Sequence, residues 1–577
     1  KNVSKFFLVT TALKGMVPPN KRTLFLGSWC LGTKNPGKEA EVADYYFSKN
    51  EDQDQKNIYL KEFYELVLRD LADHLNKIHN LNNSLKYWRI IIGPWLNTFI
   101  QIIFERWSQI QFVEKNYKIE RTKITQQEII PNSYEDFNSL LSTDEWNFYI
   151  YSDIIVNCTG INFVESKQHN TLNIFSKKRS TKSYLKRVLM KMGQIANRKK
   201  SIVFVNFSLS FVRYLILWVR YGYVIRDFSE KIIHHDVNNK LRKELIKPNK
   251  TSSRFEEYFY TVLIKNIPKV YLEGFDKLLL QVDNLSLPKK PAVILTSYIH
   301  HNDLFKAYVA EQICSGTKII VSQHGGSYGS YRWFFNQDHE LRISDSYFSW
   351  GWTHGEKKVI PLGFIKKNPF HGRRGFNQSK LLIVLGGLPR YSYKSGSEPQ
   401  STYFLEYLSN QIRFLKGLNF LEKVIIKQYP TDYGWNVKEY ITEYFPTIQF
   451  SSNPNSAKKC RLIIVTFNST TYLETLAKNI PTIFFWDPDH HRLSDHANRE
   501  FEKMKEVGIF HTSPKTAADF VNLNWDSIDF WWNKRETQLA ISSFCYLSCR
   551  QDKNELYPAI SVASKIHKNI KLISTRY

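Results

Sequence analysis

Short, wholly apolar runs alternate along this chain with longer stretches in which apolar residues recur every third or fourth position. "FFLVTT" and "TLFLG", near the start, have the length and continuity of strands buried on both faces, and they predict the opening of an α/β domain. Between residues 55 and 110 the period becomes helical. It runs through 58–75 and resumes in "GPWLNTFIQIIFERW", where Gly93-Pro94 predicts a break. Residues 115–200 are polar and weakly periodic apart from a strand-like "FYIYSDIIVN". "SIVFVNFS" is a further strand candidate, and the charged stretch 230–250 reads as a surface excursion.

From residue 291 the alternation sharpens. "AVILTS", "DLFKAYVAEQICSG" and "KIIVS" read strand, helix, strand. After "KKNPFHGRRG" a second series begins, with "KLLIVLGG", a helix over 402–417, "KVIIKQYP", and then "RLIIVTFNSTTYLETLAKNIPTIFFW" as strand, loop, helix, strand. A helical run including "DFWWNKRETQLAISSF" closes the chain. Such alternation predicts parallel sheets covered by helices. The expected organisation is two doubly wound α/β domains facing a cleft, residues 1–370 and 371–577, with the division near 370–378.

Open parallel sheets bind ligands beyond the carboxyl ends of their strands. The segments there are "YIHHND", "QHGGSYG", "GGLPRYSY", "QYPTDYG", "FNSTT" and "WDPDHH", rich in His, Asp, Gly and hydroxyls. Asn468, Ser469, Thr470 and Thr471 lie where a strand gives way to a helix, a place suited to holding a phosphate; Thr471 and Glu474 equally fit the spacing of a capping box. Asp303, beside His300 and His301 and one turn before Lys306, is a candidate base or nucleophile, or only a helix cap. Gln323 and His324 end a strand against Gly325 and Gly326. His324 is a candidate acid or donor to a charged oxygen, and the paired glycines suggest a close approach of a ligand. His339, Glu340 and Asp345 follow on what reads as a connecting loop. Their spacing matches no strong metal motif, and His339 and Glu340 stand as catalytic candidates. The glycines at 386 and 387 match no dinucleotide or P-loop pattern.

Composition narrows the classes. An apolar content of 42% over 577 residues supports a large core, which excludes disorder. The formal charge of +26 reflects either a generally lysine-rich composition or anionic partners: a phosphorylated substrate, an anionic membrane face or nucleic acid. With no basic tail and no RNA-binding signature, nucleic acid is not the expected partner. Six cysteines without metal-like spacing fit a reducing compartment. No run reaches the ~18–20 apolar residues of a membrane span. The nearest, "FVRYLILWVRYGYVI", carries Arg213 and Arg220 and reads as a buried or membrane-surface helix.

"FLVTTAL", "LFLGSWC", "GPWLNTFIQIIFERW", "HHNDLFKAYVAEQICSGTKIIVSQHGGSYG", "HELRISDSYFSWGW", "NSTTYLETLAKNIPTIFFW" and "WWNKRETQLAISSF" together resemble the bacterial surface-polysaccharide transferases. That family is allied to the capsule Kdo and nonulosonic-acid (pseudaminic, legionaminic) transferases. The resemblance runs from residue 6 to about 547 and is most specific at 303–352 and 466–486. It implies a GT-B glycosyltransferase of two Rossmann-like domains, with the nucleotide held by the C-terminal domain and the acceptor by the N-terminal one. It further implies a CMP-activated acidic sugar, retention of configuration, and a strand-tip aspartate nucleophile, for which Asp303 is the best-placed residue. Where such enzymes carry His-Pro, this chain has Tyr429-Pro430, so Lys427 or the hydroxyls of 469–471 would have to serve the phosphate.

The expectation is therefore a cytoplasmic transferase, peripheral at the inner membrane, that moves pseudaminic acid, a related nonulosonic acid or Kdo from its CMP form to a capsule or O-antigen glycan or a lipid-linked glycan. It would use no cofactor, with the CMP-sugar as co-substrate, and no metal, since CMP leaves with a single phosphate. The competing expectations are a nucleotide-sugar epimerase of the same fold and a non-catalytic glycan-binding assembly protein.

Overall fold

The computed structural model of the protein describes residues 5–166, 202–206, 231–245, 251–364 and 379–551, less positions 38, 48, 49, 286, 398, 454–456, 458 and 459, together with 217, 224, 225, 228, 566 and 568–570. The expectations for most of 211–223 and for the division near 370–378 lie outside these residues.

Three parallel sheets carry the fold. The first holds β1 (Phe6–Val9), β2 (Thr23–Phe25), β3 (Ala40–Val42), β4 (Ile119–Ile124) and β5 (Phe163–Glu165), in the order β3-β2-β1-β4-β5. The second holds β6 (Ile202–Val205), β7 (Val224–Ile225), β8 (Val293–Thr296), β9 (Lys318–Ser322), β10 (Ser346–Ser349) and β11 (Val359–Pro361), in the order β11-β10-β9-β8-β6-β7. The third holds β12 (Lys380–Val384), β13 (Val424–Lys427), β14 (Gln449–Phe450), β15 (Cys460–Val465), β16 (Thr482–Phe485) and β17 (Phe510–His511), in the order β14-β13-β12-β15-β16-β17.

Counted from its own first strand, the third sheet runs 3-2-1-4-5-6, the dinucleotide-fold order, and the second begins 2-1-3-4-5, the flavodoxin order. These two doubly wound sheets meet across a cleft, the GT-B arrangement that the resemblance implies. The separate first sheet was not foreseen. Its outer strands β3 and β5 are three residues long, and no residue of either is fully buried, so they lack the apolar run that marks an inner strand.

Two local expectations fail. "FYIYSDIIVN" belongs to a helix, Asp144–Cys158, whose N-cap Thr143 accepts from the Trp146 amide. Its residues are buried on nearly every side, and a helix that is apolar all round looks like a buried strand by periodicity. Gly93-Pro94 does not break the chain either, since one 32-residue helix, Leu85–Asn116, passes through it. Trp88, Trp95 and Phe99 bury that helix in the core, and Gly93 lets Tyr64 and His339 close on its backbone, where a Cβ would lie 2.8 Å from the Tyr64 hydroxyl. Packing holds the helix against the hydrogen bond that proline removes.

Polar clasps fasten the third sheet to the rest. Asp54 accepts from Trp333 Nε1 at 2.6 Å and pairs with Arg332 and Arg492, each at 3.1 Å. Asp144 pairs with Arg390 at 2.5 Å and accepts from the Tyr391 hydroxyl. The chain also crosses between cores: Trp350 and Phe364 pack into the core of the third sheet, whereas Ile566 and Ile570 return to pack with Phe204, Leu217 and Val224 against the second.

Candidate functional site

Strand order in the third sheet reverses between β12 and β15, and the crevice beyond such a switch point is where open α/β sheets bind ligands. A cavity of about 570 Å³ lies there. Its floor is built from the segments that follow β13, β12 and β15, and its far wall from Gly325–Ser327, which follow β9 of the second sheet. The sequence candidates Lys427, Tyr429, Pro430, Asn468, Ser469, Thr470, Thr471, Gly325 and Gly326 all line it.

Glycines set the width of the cavity. A Cβ on Gly326 would fall 2.4 Å from the Ser469 carbonyl oxygen, and the Gly326 amide donates to Thr470 Oγ1 at 3.1 Å. The glycine that sequence reading offered to a ligand is thus filled by the facing sheet. A Cβ on Gly386 would sit 2.5 Å from the Phe467 ring, and one on Gly387 equally close to the Tyr429 ring. The Gly386 amide donates to the Tyr407 hydroxyl at 2.8 Å, which fixes the turn after β12.

The lining carries a positive balance. Lys394 and Lys427 face the cavity, and among the described lining residues there is no Asp or Glu. Ser327, Ser392, Ser401, Ser469, Thr470 and Thr471 add hydroxyls. Thr470 already accepts from Gly326, so its hydroxyl hydrogen is directed to another acceptor. Ser469 is the N-cap of the helix Thr470–Leu476 without a side-chain capping bond, and Thr471 lies inside that helix, so the Thr471–Glu474 capping box does not form. Tyr393, Tyr429, Tyr433 and Phe467 supply aromatic surface; burial raises the Tyr433 phenol above its ordinary range.

Several candidates lie elsewhere. Asp303 is wholly buried. Its carboxylate pairs with Lys306 at 2.7 Å and accepts from the Tyr134 amide at 2.7 Å and the Tyr271 hydroxyl at 2.6 Å, leaving no face for a sugar. Burial lowers the Lys306 ammonium's pKa, against the pull of Asp303. This cluster ties the helix Asp303–Cys314 to the helical layer, which corrects the nucleophile expectation. Gln323 is also fixed in place: its amide oxygen accepts from the Trp350 amide and Trp352 Nε1, both at 2.9 Å, and its nitrogen donates to the Gly325 carbonyl.

His339 and Glu340 stand on a helix, Phe335–Ile343, not on a loop. Burial, with His300 next in weight, drives His339 well below its ordinary pKa. Glu340 has no exposure and accepts from Tyr328 at 2.8 Å and Tyr347 at 3.1 Å, with His300 Nε2 at 2.8 Å. Glu474 is buried and does not line the cavity. His324 alone of the catalytic candidates reaches the surface. It is half-buried beside Gly325, its ring 4.1 Å from that of Tyr298 and within 3.3 Å of the Tyr328 hydroxyl.

Sequence reading marked the strand tip "GGLPRYSY" without assigning residues from it. The structure brings Gly387, Ser392 and Tyr393 from this stretch, Lys394 directly after it, and Tyr433 from "QYPTDYG", to the cavity. The signal was present in the hydroxyl and aromatic content of those two segments.

The profile of the LIC12162 family transferases matches residues 6–558. No protein of curated function matches the chain. Among solved structures, MurG of Acinetobacter baumannii is 13% identical over 53% of this chain and 81% of its own, with a TM-score of 0.30. The spinosyn rhamnosyltransferase SpnG with thymidine diphosphate is 12% identical over 51% and 77%, TM-score 0.30. The UDP-GlcNAc 2-epimerase of Neisseria meningitidis bound to UDP-GlcNAc is 12% identical over 56% and 90%, TM-score 0.29. Likeness at this level bears on neither ligand nor reaction.

Proposed function

We propose, from the premise that the chain belongs to the LIC12162 family of transferases, that it is a glycosyltransferase whose nucleotide-activated sugar donor occupies the switch-point cavity. One observation carries this reading: a cavity at the facing edges of two doubly wound sheets, lined by two lysines and six serine and threonine hydroxyls and, among the described residues, by no carboxylate.

In the reaction an acceptor hydroxyl oxygen bonds to the anomeric carbon. The bond from that carbon to the phosphate oxygen breaks, and its electron pair leaves with the nucleotide. Lys427, Lys394 and the hydroxyls of Ser469–Thr471 meet the charge that grows on the phosphate. His324, held beside Tyr328 and Tyr298 at the edge of the second sheet, takes the proton of the acceptor hydroxyl. With Asp303 locked against Lys306, no covalent intermediate is assigned to it. The narrower reading is a CMP-activated acidic sugar, of the nonulosonic-acid or Kdo kind, delivered to a bacterial surface glycan. It rests on the sequence resemblance and on the positive lining. Among the described residues no helix is long and apolar enough to cross a membrane; contact with an anionic membrane face or glycan would draw on the net charge of +26.

Thermal-shift measurements with CMP, UDP, GDP and dTDP test both levels. A ligand at 100 times its Kd stabilises the native state by about 2.7 kcal/mol. CMP is expected to raise the melting temperature, and Lys427→Ala to abolish the rise. No shift with any nucleotide overturns the reading; a shift with UDP and none with CMP overturns only the narrower form.

A further inference from the structure

Tyr429 is 42% exposed, and its large aromatic ring stands on the cavity wall. Its ring lies across the Gly387 backbone, where a Cβ would come within 2.5 Å of it, so this position must lack a side chain for the ring to lie flat. A second ring, that of Tyr433, runs nearly parallel to it, 22° apart with centroids at 6.2 Å.

Tyr433 is itself held in an unusual backbone state. Its φ is +60°, in the left-handed region that non-glycine residues seldom occupy, and Gly434 and Asn436 follow at +83° and +55°. The turn is pinned from three sides. Asp432 accepts from the amides of Asn436 at 2.7 Å and Val437 at 2.9 Å, the buried Trp435 donates to the Leu388 carbonyl at 2.8 Å, and Arg390 donates to the Tyr433 carbonyl at 3.2 Å. A strained residue maintained by its surroundings marks a place where geometry serves a function. The result is an aromatic surface backed by a turn and a glycine, with its remaining face toward the cavity.

We propose that Tyr429 is the platform on which the nucleobase of the donor stacks, with Tyr433 and Gly387 setting the plane of its ring. The proposal rests on the nucleotide reading above and assigns the position where related enzymes carry His-Pro to the base, not to the phosphate. The sheet geometry supports that division. Tyr429 follows β13 and Ser469–Thr471 follow β15, with β12 between them. Two strand spacings separate these tips by about 10 Å, the order of the span from base to phosphate in a mononucleotide. Lys427 and the hydroxyls of Ser469–Thr471 are then left for the phosphate. Stacking on a ring tolerates any base, so the platform supplies affinity for a nucleotide as a class.

Calorimetric titration of the full chain with CMP, UMP, AMP, GMP and ribose 5-phosphate tests this. Tyr429→Ala is expected to weaken nucleotide binding by roughly 5- to 150-fold and to leave ribose 5-phosphate unchanged, since the sugar phosphate has no base to stack. Tyr429→Phe keeps the ring and binds as the unaltered protein does. Lys427→Ala weakens nucleotides and ribose 5-phosphate alike. Nucleotide binding that survives Tyr429→Ala at full strength, while Lys427→Ala weakens it, overturns the platform alone. Failure of the unaltered protein to bind any of the four nucleotides overturns the nucleotide reading and the platform with it. The side chain is exposed, so an unchanged melting temperature is expected for both Tyr429 variants and separates lost binding from lost folding.

Discussion

Replacing Gly326 by alanine probes the contact that sets the two principal sheets against each other. The new methyl would lie 2.4 Å from the Ser469 carbonyl oxygen, 2.7 Å from its carbon and 2.8 Å from Thr470 Cα. Ordinary contact begins near 3.4 Å, so the strand tips must separate by about 1 Å. All three atoms are backbone, and no side chain can swing aside. Overpacking of this kind costs about 1–3 kcal/mol, and the Gly326–Thr470 hydrogen bond lost as the tips part adds about 0.5–1.5 kcal/mol. The sum, about 1.5–4.5 kcal/mol, corresponds to a fall in melting temperature of roughly 3–18 °C for an unfolding unit of about 150–250 residues. CMP affinity is expected to fall as well, because Ser469 and Thr470 move with the wall. Gly325→Ala is the control: its Cβ meets only the Tyr328 ring, at 3.7 and 3.8 Å, ordinary contacts. Scanning calorimetry and CMP titration of both variants decide the matter. If Gly326→Ala melts and binds as the unaltered protein does, or Gly325→Ala is the more damaging, the close-approach argument is wrong.

Two further outcomes follow from buried charges. Asp303→Ala leaves the Lys306 ammonium buried without its carboxylate, which costs about 3–5 kcal/mol; the melting temperature should drop, and adding Lys306→Met should restore much of it, whereas Asp303→Ala with an unaltered melting temperature and no transfer activity would reinstate the nucleophile. Burial holds Lys56 at about 8, below its usual 10.5, with Glu105 opposing the shift. The unfolded chain therefore binds the extra proton between those values, and this residue makes the protein more stable as pH rises from about 8 to 10.5, by about 3 kcal/mol at most. Melting temperatures of the unaltered protein and Lys56→Met across that range should converge or cross accordingly; parallel curves would contradict the burial argument.

The parts of the molecule legible in the sequence are those whose signal is local. β8, β9, β12, β13 and β15 are apolar runs bounded by turn residues, and the strand-tip rule then leads from them to Lys427, Tyr429 and Ser469–Thr471 without knowledge of packing. What could not be read depends on partners distant in the chain. Asp303 looks like a free carboxylate beside a helix until Tyr134 and Tyr271 are placed on it, 169 and 32 residues away. Gly326 looks like room for a ligand until Ser469 fills the space. The helix Asp144–Cys158 imitates a strand because its surroundings are apolar on all sides, and β3 and β5 are too short and too exposed to carry a pattern. Tyr433 comes from a segment already marked as a strand tip and Lys394 directly follows another, but their side chains become site residues only when the loops are folded over the cavity.

The exchange of Trp350 and Phe364 for Ile566 and Ile570 across the two cores has a bearing on protein engineering. Each lobe contains a plug that the other supplies. A lobe expressed alone would present an open socket where the missing plug belongs, and grafting a foreign C-terminal lobe onto this scaffold would succeed only if the graft carried a matching tail. Recombination between relatives should therefore favour joints that keep both plugs with their sockets over the single cut that the interval between the sheets invites.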